Sequence, residues 1–317
     1  QMYVEFQIPA ARTKTLPLVM FSGGGQSGLN YTGTPDGREG WRQFFLRAGY
    51  AVYVIDQPSR ARSPHLRETG EQSRQPVRRV QQQFTAPELY KLWPQAQLHT
   101  QWPGTGVEGD PVFDQFFAQN FPSLASFPRQ QELNRDAGAA LIDKIGPAIL
   151  FTHSQSGTFG WLIADARPEL VKAIVAMEPS GPPVFDNVMK GTPDWFEDGP
   201  FTKPYGLTAP PLTYDPPLAS AQDLTFVRQE TAEAPDRVRC WEQAASIART
   251  ARRLALAHDR RRRVERDGLG LGAAQVDADG RAGRQHQPHQ IASVRNISQA
   301  RASPLTRGAS RARTVAW

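Results

Sequence analysis

The sequence predicts an α/β protein with a mostly parallel sheet, because apolar runs of strand length alternate with segments of helical spacing. Runs that are apolar on both faces are typical of parallel strands covered by helices on both sides. Residues between these runs repeat their apolar positions every three to four residues, and right-handed crossovers are the rule for such connections. The runs are LPLVMF at 16–21, AVYVIDQ at 51–57, PAILFT at 147–152 and KAIVAMEP at 172–179.

The remaining elements of the predicted fold follow in chain order. MYVEFQI at 2–8 alternates as a strand does, and SGGGQSG forms a loop after the second strand. GWRQFFLRAGY at 40–50 has helical spacing and a glycine near its end. Helices are also predicted for ELNRDAGAALIDKIG and SGTFGWLIADARPELV, on either side of the strand at 147–152.

Two long segments lack this alternation, and we expect them to be lid insertions. They cover about 58–135 and about 180–240, and the second contains one predicted amphipathic helix, SAQDLTFVRQETAE. Residues 1–244 are therefore expected to form one domain with two lid segments. The aromatic side chains of these lids predict an apolar pocket. The aromatic residues on which this pocket is based are Trp93, Trp102, Phe116, Phe117, Trp195 and Phe196.

The tail, 245–317, differs in composition from the rest of the chain. It holds fifteen Arg, no Lys, no Phe or Tyr and no apolar run of strand length. Such a composition predicts a disordered segment, or a segment translated out of frame. With five acidic residues against its fifteen Arg, the tail accounts for the positive net charge of the chain, which is +6 overall. Clustered arginines can bind nucleic acid, but aromatic interleaving and zinc-ligand spacing are absent, so we expect a solvated charge run.

Ser154 is the predicted nucleophile, because THSQSG lies directly between a buried strand and a helix. A sharp strand-to-helix turn needs small neighbours, which Thr152 and Ser156 supply. The turn also directs helix N-terminal amides, including that of Gln155, toward a developing oxyanion. A helix N-cap would also explain a serine at this position, and Ser156 is the minor alternative nucleophile.

Gly24 and Glu178 are predicted to complete part of the site. Gly24 belongs to the glycine loop after a buried strand, where a backbone amide can approach a substrate closely. Glu178 ends the strand after the elbow helix, at the sheet edge where sites of this fold class lie. A flexible turn would also explain the glycine run, and a residue that simply meets solvent at the sheet edge would also explain Glu178. Asp56 competes with Glu178 as the acid, although its strand precedes the elbow.

These residues resemble a known family, the bacterial α/β-hydrolase esterases with an HSQSG elbow and a Ser–Glu–His triad. The resemblance covers the first ten residues, TPDGREGW, FLRAGYAVYVIDQPSRARS, THSQSG and the strand that ends in Glu178. It implies the α/β-hydrolase fold, with Ser154 as nucleophile, Glu178 as acid, and the amides of Gly24 and Gln155 as the oxyanion hole. The catalytic histidine of such enzymes follows the last strand, in a segment resembling HGNSHMM.

The chain departs from that family at two places. Ser22 stands where the family has histidine before the glycines. About 245–317 does not match, so the last strands and the histidine segment are expected to be missing. The general base is therefore unassigned, and the weak candidates in the tail are His258, His286 and His289.

The sequence thus predicts a serine hydrolase that acts on a small-molecule carboxylic ester through an acyl-enzyme at Ser154. No metal or organic cofactor is implied, nucleic acid is not an expected partner, and a homodimer stays open. The alternative is a catalytically impaired or dead hydrolase-fold protein, either a binding module or a frameshifted product. The single cysteine excludes an intrachain disulfide, and no apolar run could span a membrane as a helix. A strand pattern begins directly at Gln1, so we expect residues to precede it, and the location stays open between secreted or periplasmic and cytoplasmic.

Overall fold

The fold is taken from a computed structural model that describes residues 1–34, 36–234, 239–243, 249–250 and 311–316. Its strands are β1 (Tyr3–Ile8), β2 (Leu18–Phe21), β3 (Val52–Asp56), β4 (Gln72–Ser73), β5 (Ser123–Leu124), β6 (Ala148–His153), β7 (Val171–Met177), β8 (Phe185–Gly191), β9 (Trp195–Phe201), β10 (Tyr214–Asp215), β11 (Phe226–Arg228), β12 (Trp241–Gln243), β13 (Arg249–Thr250) and β14 (Arg311–Ala316). Its α-helices are α1 (Trp41–Arg47), α2 (Val77–Val80), α3 (Pro87–Tyr90), α4 (Pro111–Ala118), α5 (Phe127–Ile145) and α6 (Gly157–Ala166).

A six-stranded sheet in the order β14-β1-β3-β2-β6-β7 forms the centre of the described fold. Strands β3, β2, β6 and β7 are parallel to one another, while β1 is antiparallel to both of its neighbours. The mostly parallel sheet of an α/β protein, predicted from the apolar runs, is thereby confirmed. Those four runs are β2, β3, β6 and β7, with ends that lie within two residues of the predicted ones.

Helices cover both faces of this sheet, and β2 shows how the sequence achieves this. Leu18 and Met20 pack in the cluster that includes α1, whereas Val19 and Phe21 pack on the opposite face with α5 and α6. All four side chains are buried. Because successive side chains of a strand point to opposite faces, a strand covered on both sides must be apolar throughout.

The parallel arrangement determines where a site can form. The carboxyl ends of β2, β3, β6 and β7 meet at one edge of the sheet, and ligands of open α/β sheets bind outside these ends. The chain leaves β2 into the glycine turn, β6 into Ser154 and β7 into Glu178. The order of strands along the chain therefore places three candidate segments at one edge.

The segments expected to be lids contain short elements. Between β3 and α5 lie the small β4–β5 pair and helices α2, α3 and α4. After β7, the strands β8 and β9 form an antiparallel hairpin. The predicted amphipathic helix at 220–233 is wrong: the chain has one 3-10 turn (Ala221–Asp223) and then β11, which pairs with β12. Leu224 belongs there to a buried cluster that includes Leu162 of α6, a tertiary association that no local periodicity encodes.

The tail was expected to contain no strand, yet β14 pairs antiparallel with β1 along its whole length. The pattern RARTVA carries too few apolar residues to predict a strand by itself. Within the ranges given above, no helix combines the length and the apolar character needed to cross a membrane.

Candidate active site

Ser154 lies at the turn between β6 and α6. The segment Ser154–Ser156 forms one 3-10 turn, and α6 begins at the next residue, Gly157. Ser154 has a φ of 51°, in the left-handed region that non-glycine residues adopt only at a cost. Strained backbone of this kind persists where the surroundings enforce it and is concentrated at functional sites. The strand–turn–helix context predicted from THSQSG is therefore present, with strain at the serine itself.

Ser156, the minor alternative nucleophile, is fully buried and links two strands. Its hydroxyl accepts a hydrogen bond from the His153 amide at 2.9 Å and donates to the Phe21 carbonyl oxygen at 2.9 Å. These bonds join the start of the elbow to the end of β2. Ser156 thus serves to hold the turn, whereas Ser154 faces a cavity.

The glycine turn after β2 lies directly against the elbow. A Cβ atom added to Gly23 would lie 3.1 Å from His153 Nδ1 and 3.3 Å from Ser154 Cβ, so a larger residue would have to displace these side chains by a few tenths of an ångström. A Cβ atom on Gly24 would lie 3.7 Å from Gln155 Cδ. The two residues predicted to donate oxyanion hydrogen bonds are therefore neighbours. Among the described residues, no hydrogen bond from the Gly24 amide is seen.

Ser22, where the resembling family has histidine, is buried inside this turn. Its hydroxyl donates to the Gln26 carbonyl oxygen at 3.1 Å, and its own carbonyl accepts from Gln57 Nε2 at 2.8 Å. The serine thereby closes the turn from within.

Glu178 follows β7 and lines the same cavity as Ser154. It is exposed and has a φ of 40°. The chain returns to the elbow just after it, since the Ser180 amide donates to the Ser154 carbonyl oxygen at 2.8 Å. The structure thus brings Glu178 to the cavity of Ser154.

Asp56, the competing acid, lies instead in a buried ion pair. Its carboxylate accepts from Arg62 Nε at 2.6 Å, from Arg62 Nη2 at 3.1 Å and from the Gly28 amide at 2.7 Å. The Asp56 side chain is fully buried. Arg62 also pairs with Glu5 at 2.9 Å, which ties the loop after β3 to β1. This geometry assigns Asp56 a structural role.

His153 is the histidine that the described part of the chain places at the cavity. Its ring accepts a hydrogen bond from the Ser156 amide, as a helix-capping side chain does. Burial lowers the pKa of His153 below its usual value, and the nearby Glu178 charge opposes that shift. The ring is therefore neutral near pH 7. The tail candidates His258, His286 and His289 lie outside the described residues.

The cavity over Ser154 has a volume of about 820 Å³. Its walls combine apolar side chains from both expected lids with amide side chains near the glycine turn. Of the aromatic residues used to predict an apolar pocket, Phe116 and Phe196 line it; Trp102 packs edge-on against Phe116 with ring centroids 5.3 Å apart. The apolar lining is Val80, Phe84, Phe116, Phe127, Val188, Met189 and Phe196, and the amide lining includes Gln26, Gln75, Gln83, Asn120 and Asn187.

Sequence reasoning missed two basic residues at this site, Arg60 and Lys203. Each is 2% exposed, and Lys203 Nζ donates to Asp186 at 2.6 Å in the cavity wall. Arginine and lysine in loops are almost always exposed, so neither carries a sequence signal that marks it as buried.

The Ser154 hydroxyl faces the cavity from a strained backbone and makes no hydrogen bond within the described part of the chain. The residues Gly24 and Gln155 lie beside it, and the Glu178 carboxylate lies at the cavity rim. This arrangement can add an oxygen nucleophile to a carbonyl carbon and stabilise the resulting oxyanion. The class defined by fold and site is an α/β protein with a serine-centred site at the carboxyl ends of its parallel strands.

The known proteins to which this chain is similar include one named as a lipase and one described as an esterase. The chain is 45% identical over 229 residues, 71% of its length, to "Probable secreted lipase phiG" from Fungal sp. (strain ATCC 74256). It spans 60% of the length of that relative. Among solved structures it is similar to one described as "The Atomic Resolution Structure of a Novel Bacterial Esterase", with a TM-score of 0.43 and 26% identity over 56% of this chain and 57% of the other. No family model matches the chain.

Proposed function

We propose that the protein is a serine hydrolase of the α/β-hydrolase type that cleaves carboxylic esters. The observation that carries this proposal is the strained backbone of Ser154, at a strand–turn–helix junction facing the cavity. The similarity to a protein named as a lipase supports the ester class of substrate. The name of that relative also describes it as secreted, which supports a secreted location.

In the proposed reaction the Ser154 hydroxyl oxygen attacks the ester carbonyl carbon and passes its proton to a base. The oxyanion accepts hydrogen bonds from the Gly24 and Gln155 amides, and the alcohol leaves with a proton. Water then cleaves the acyl-enzyme by the same route, which releases the carboxylic acid and restores Ser154. Glu178 is the proposed acid that orients and charge-stabilises the base.

The base is to be sought among four histidines. His153 lines the cavity and is neutral, so it can accept a proton, but it immediately precedes Ser154 and its ring caps the elbow turn. The tail offers His258, His286 and His289. Single changes of each histidine to asparagine, with hydrolysis of a short-chain nitrophenyl ester as readout, identify the base as the position whose loss abolishes turnover.

Substrate size and polarity follow from the cavity. A volume of about 820 Å³ lies within the range of small-molecule sites, and its lining combines apolar side chains from both lid segments with polar and charged ones. We infer an ester with an apolar acyl or alcohol part. The amide side chains near Gly24 provide hydrogen bonds for the polar ester group.

Labelling with a fluorophosphonate probe tests the proposal. The chain should be labelled at Ser154, as mapped on the digested peptide, and Ser154→Ala should abolish labelling. Ser180→Ala is the matched control because Ser180 lines the same cavity and contacts Ser154 through its backbone amide alone. Labelling that survives Ser154→Ala, or that maps to another residue, would contradict the proposal.

The second candidate is an impaired hydrolase that binds esters without turning them over. It is favoured by one observation: within the ranges that the structure describes, His153 is the single histidine at the cavity. Without a base, a serine hydroxyl is a weak nucleophile near neutral pH. Saturable binding of an ester analogue without probe labelling or turnover would select this candidate.

A further inference from the structure

Arg60 is a buried arginine in the loop that follows β3. It is 2% exposed, and its neighbours on both sides, Ser59 and Ala61, have φ values of 61° and 50°. Both of these angles lie in the left-handed region, so the loop adopts an unfavourable backbone conformation around the residue that turns inward. An arginine buried in this way requires partners for its donors.

The partners of the Arg60 guanidinium are neutral oxygens of the candidate active site. Its Nη1 donates to the Gly23 carbonyl oxygen at 2.9 Å. Its Nη2 donates to Gln155 Oε1 at 2.8 Å and to Gln130 Oε1 at 2.9 Å. A longer contact of 3.5 Å joins Nη1 to the Gln26 carbonyl oxygen. One side chain thereby connects the glycine turn, the residue after Ser154 and helix α5.

Within the part of the chain that the structure describes, the charge of Arg60 is not paired directly with a carboxylate. Burial lowers the pKa of Arg60 to about 10, against an opposing effect of Asp56, so the guanidinium remains protonated at neutral pH. Asp56 itself makes its contacts with Arg62 and Gly28. The positive charge of Arg60 therefore acts on the carbonyl and amide groups that surround it.

Peptide geometry links the Gly23 carbonyl to the proposed oxyanion donor. The carbonyl of Gly23 and the N–H of Gly24 belong to the same peptide group, which is trans. In a planar trans peptide these two bonds point in opposite directions. A guanidinium that holds the carbonyl oxygen on one side therefore directs the Gly24 N–H to the other side.

The same guanidinium acts on the second proposed donor through the Gln155 side chain. Gln155 Oε1 is held at 2.8 Å from Arg60 Nη2, and this fixes a residue whose backbone amide follows Ser154. Gln130 holds the guanidinium in turn, since it accepts from Nη2 and donates from Nε2 to the Leu124 carbonyl oxygen. Both donor residues are thus hydrogen-bonded to one buried cation.

We propose that Arg60 is a positioning residue that orients the Gly24 and Gln155 amides as one oxyanion site and polarises the Gly24 peptide with its charge. The inference rests on the proposed function for the role of those amides, but the orientation and polarisation of the Gly24 peptide can be measured without any turnover. A hydrogen bond from a cation to a carbonyl oxygen draws electron density from the whole amide group and makes its N–H a stronger donor.

The Gly24 amide can be observed selectively because of the chain's sequence. Only two peptide bonds among its 26 glycines join glycine to glycine, those between 23 and 24 and between 24 and 25. Cell-free synthesis with carbonyl-¹³C glycine and ¹⁵N glycine therefore yields two peaks in a carbonyl-correlated amide spectrum. The Gly24 peak reports the peptide that contacts Arg60, and the Gly25 peak serves as an internal control.

Arg60→Met and Arg60→Lys are the test variants. In Arg60→Met we expect the Gly23 carbonyl and Gly24 amide resonances to move upfield, with a smaller change of the Gly25 peak. The rate of fluorophosphonate labelling at Ser154 should fall by about 100-fold, the lower end of what loss of one oxyanion donor costs. Ester turnover should show this loss in kcat with little change in KM, because the donors act on the transition state. Arg60→Lys keeps the positive charge but loses the planar guanidinium that reaches Gly23 and Gln155 together. The peak shift and the loss of labelling rate are therefore expected to lie between those of wild type and Arg60→Met.

The matched control is Arg129→Met. Arg129 lies on α5 next to Gln130, is partly exposed and pairs with Glu132 at 2.9 Å. This variant should leave both peaks and the labelling rate unchanged. A purely structural role of Arg60 would move the unfolding midpoint without a selective change of the Gly24 peak.

The outcomes separate this inference from the proposed function. A Gly24 peak that moves no more than the Gly25 peak in folded Arg60→Met, with labelling within about twofold of wild type, would overturn the role of Arg60. If Arg60→Met does not fold, the same two peaks in Arg60→Lys decide. If the wild-type chain is not labelled at all, the proposed function fails, while the Gly24 peak still determines whether Arg60 orients that peptide.

Discussion

Replacing Gly157 by alanine tests how closely the elbow packs against the turn after β7. An added Cβ atom would lie 2.5 Å from Pro179 Cβ and 3.0 Å from Pro179 Cα. Carbon atoms in contact are ordinarily about 3.5–4.0 Å apart, so the two segments must separate by about 1 Å. Ser154 lies three residues before Gly157 and Glu178 immediately before Pro179, so this movement separates the proposed nucleophile from the proposed acid. A displacement of that size costs on the order of 100-fold in rate.

We therefore expect Gly157→Ala to label with fluorophosphonate, and to hydrolyse esters, about 100-fold more slowly than wild type. Its free energy of unfolding should fall by about 1–3 kcal/mol, as for other overpacked sites. Gly160→Ala is the control on the same helix. Its Cβ atom would approach Thr152 Cγ2 at 3.0 Å and Ile174 Cγ2 at 3.3 Å, both of them side-chain atoms. Equal labelling rates for Gly157→Ala and Gly160→Ala would refute this reasoning.

Three further predictions concern titratable groups. Asp56→Asn should lower the free energy of unfolding by about 1–3 kcal/mol, because the buried carboxylate loses its charge-assisted hydrogen bonds from Arg62 and from the Gly28 amide. An activity loss at unchanged stability in urea unfolding would instead favour Asp56 as the acid. Glu178→Gln should leave stability within about 0.5 kcal/mol, since the residue is exposed, and reduce kcat by up to about 10⁴-fold; unchanged ester turnover would reject Glu178 as the acid. Burial lowers the pKa of His153 in the folded state. As the pH falls, the unfolded chain therefore takes up this proton before the folded chain does. The free energy of unfolding should accordingly fall below about pH 6.5, until the pH has passed the folded-state pKa. His153→Asn should reduce that fall, measured by urea unfolding at about pH 7 and about pH 5; an identical fall in the variant would show that other groups cause it.

The central sheet could be predicted because its signals are local. A strand buried on both faces must be apolar at successive positions, and this requirement is met by LVMF in β2 and AILFT in β6. The strand–turn–helix context of Ser154 could be predicted for the same reason. The prediction of a helix at 220–233 was wrong. The apolar residues of this segment instead pack with α6, through Leu224, and lie in β11, which pairs with β12. Pairing and packing of that kind depend on residues far away in the chain.

The sequence by itself determined the α/β class, the order of the buried strands, and Ser154, Gly24 and Glu178 as residues that follow parallel strands at one sheet edge. These features depend on apolar periodicity and on the residues that end each strand, which are properties of short segments. Only the tertiary structure decided what surrounds Ser154: the close approach of Gly23, the burial of Asp56 against Arg62, and the guanidinium of Arg60 between the glycine turn and Gln155. The physical reason is that hydrogen bonds and burial join residues up to 135 positions apart, and a sequence pattern carries no record of which distant oxygen a buried donor will meet.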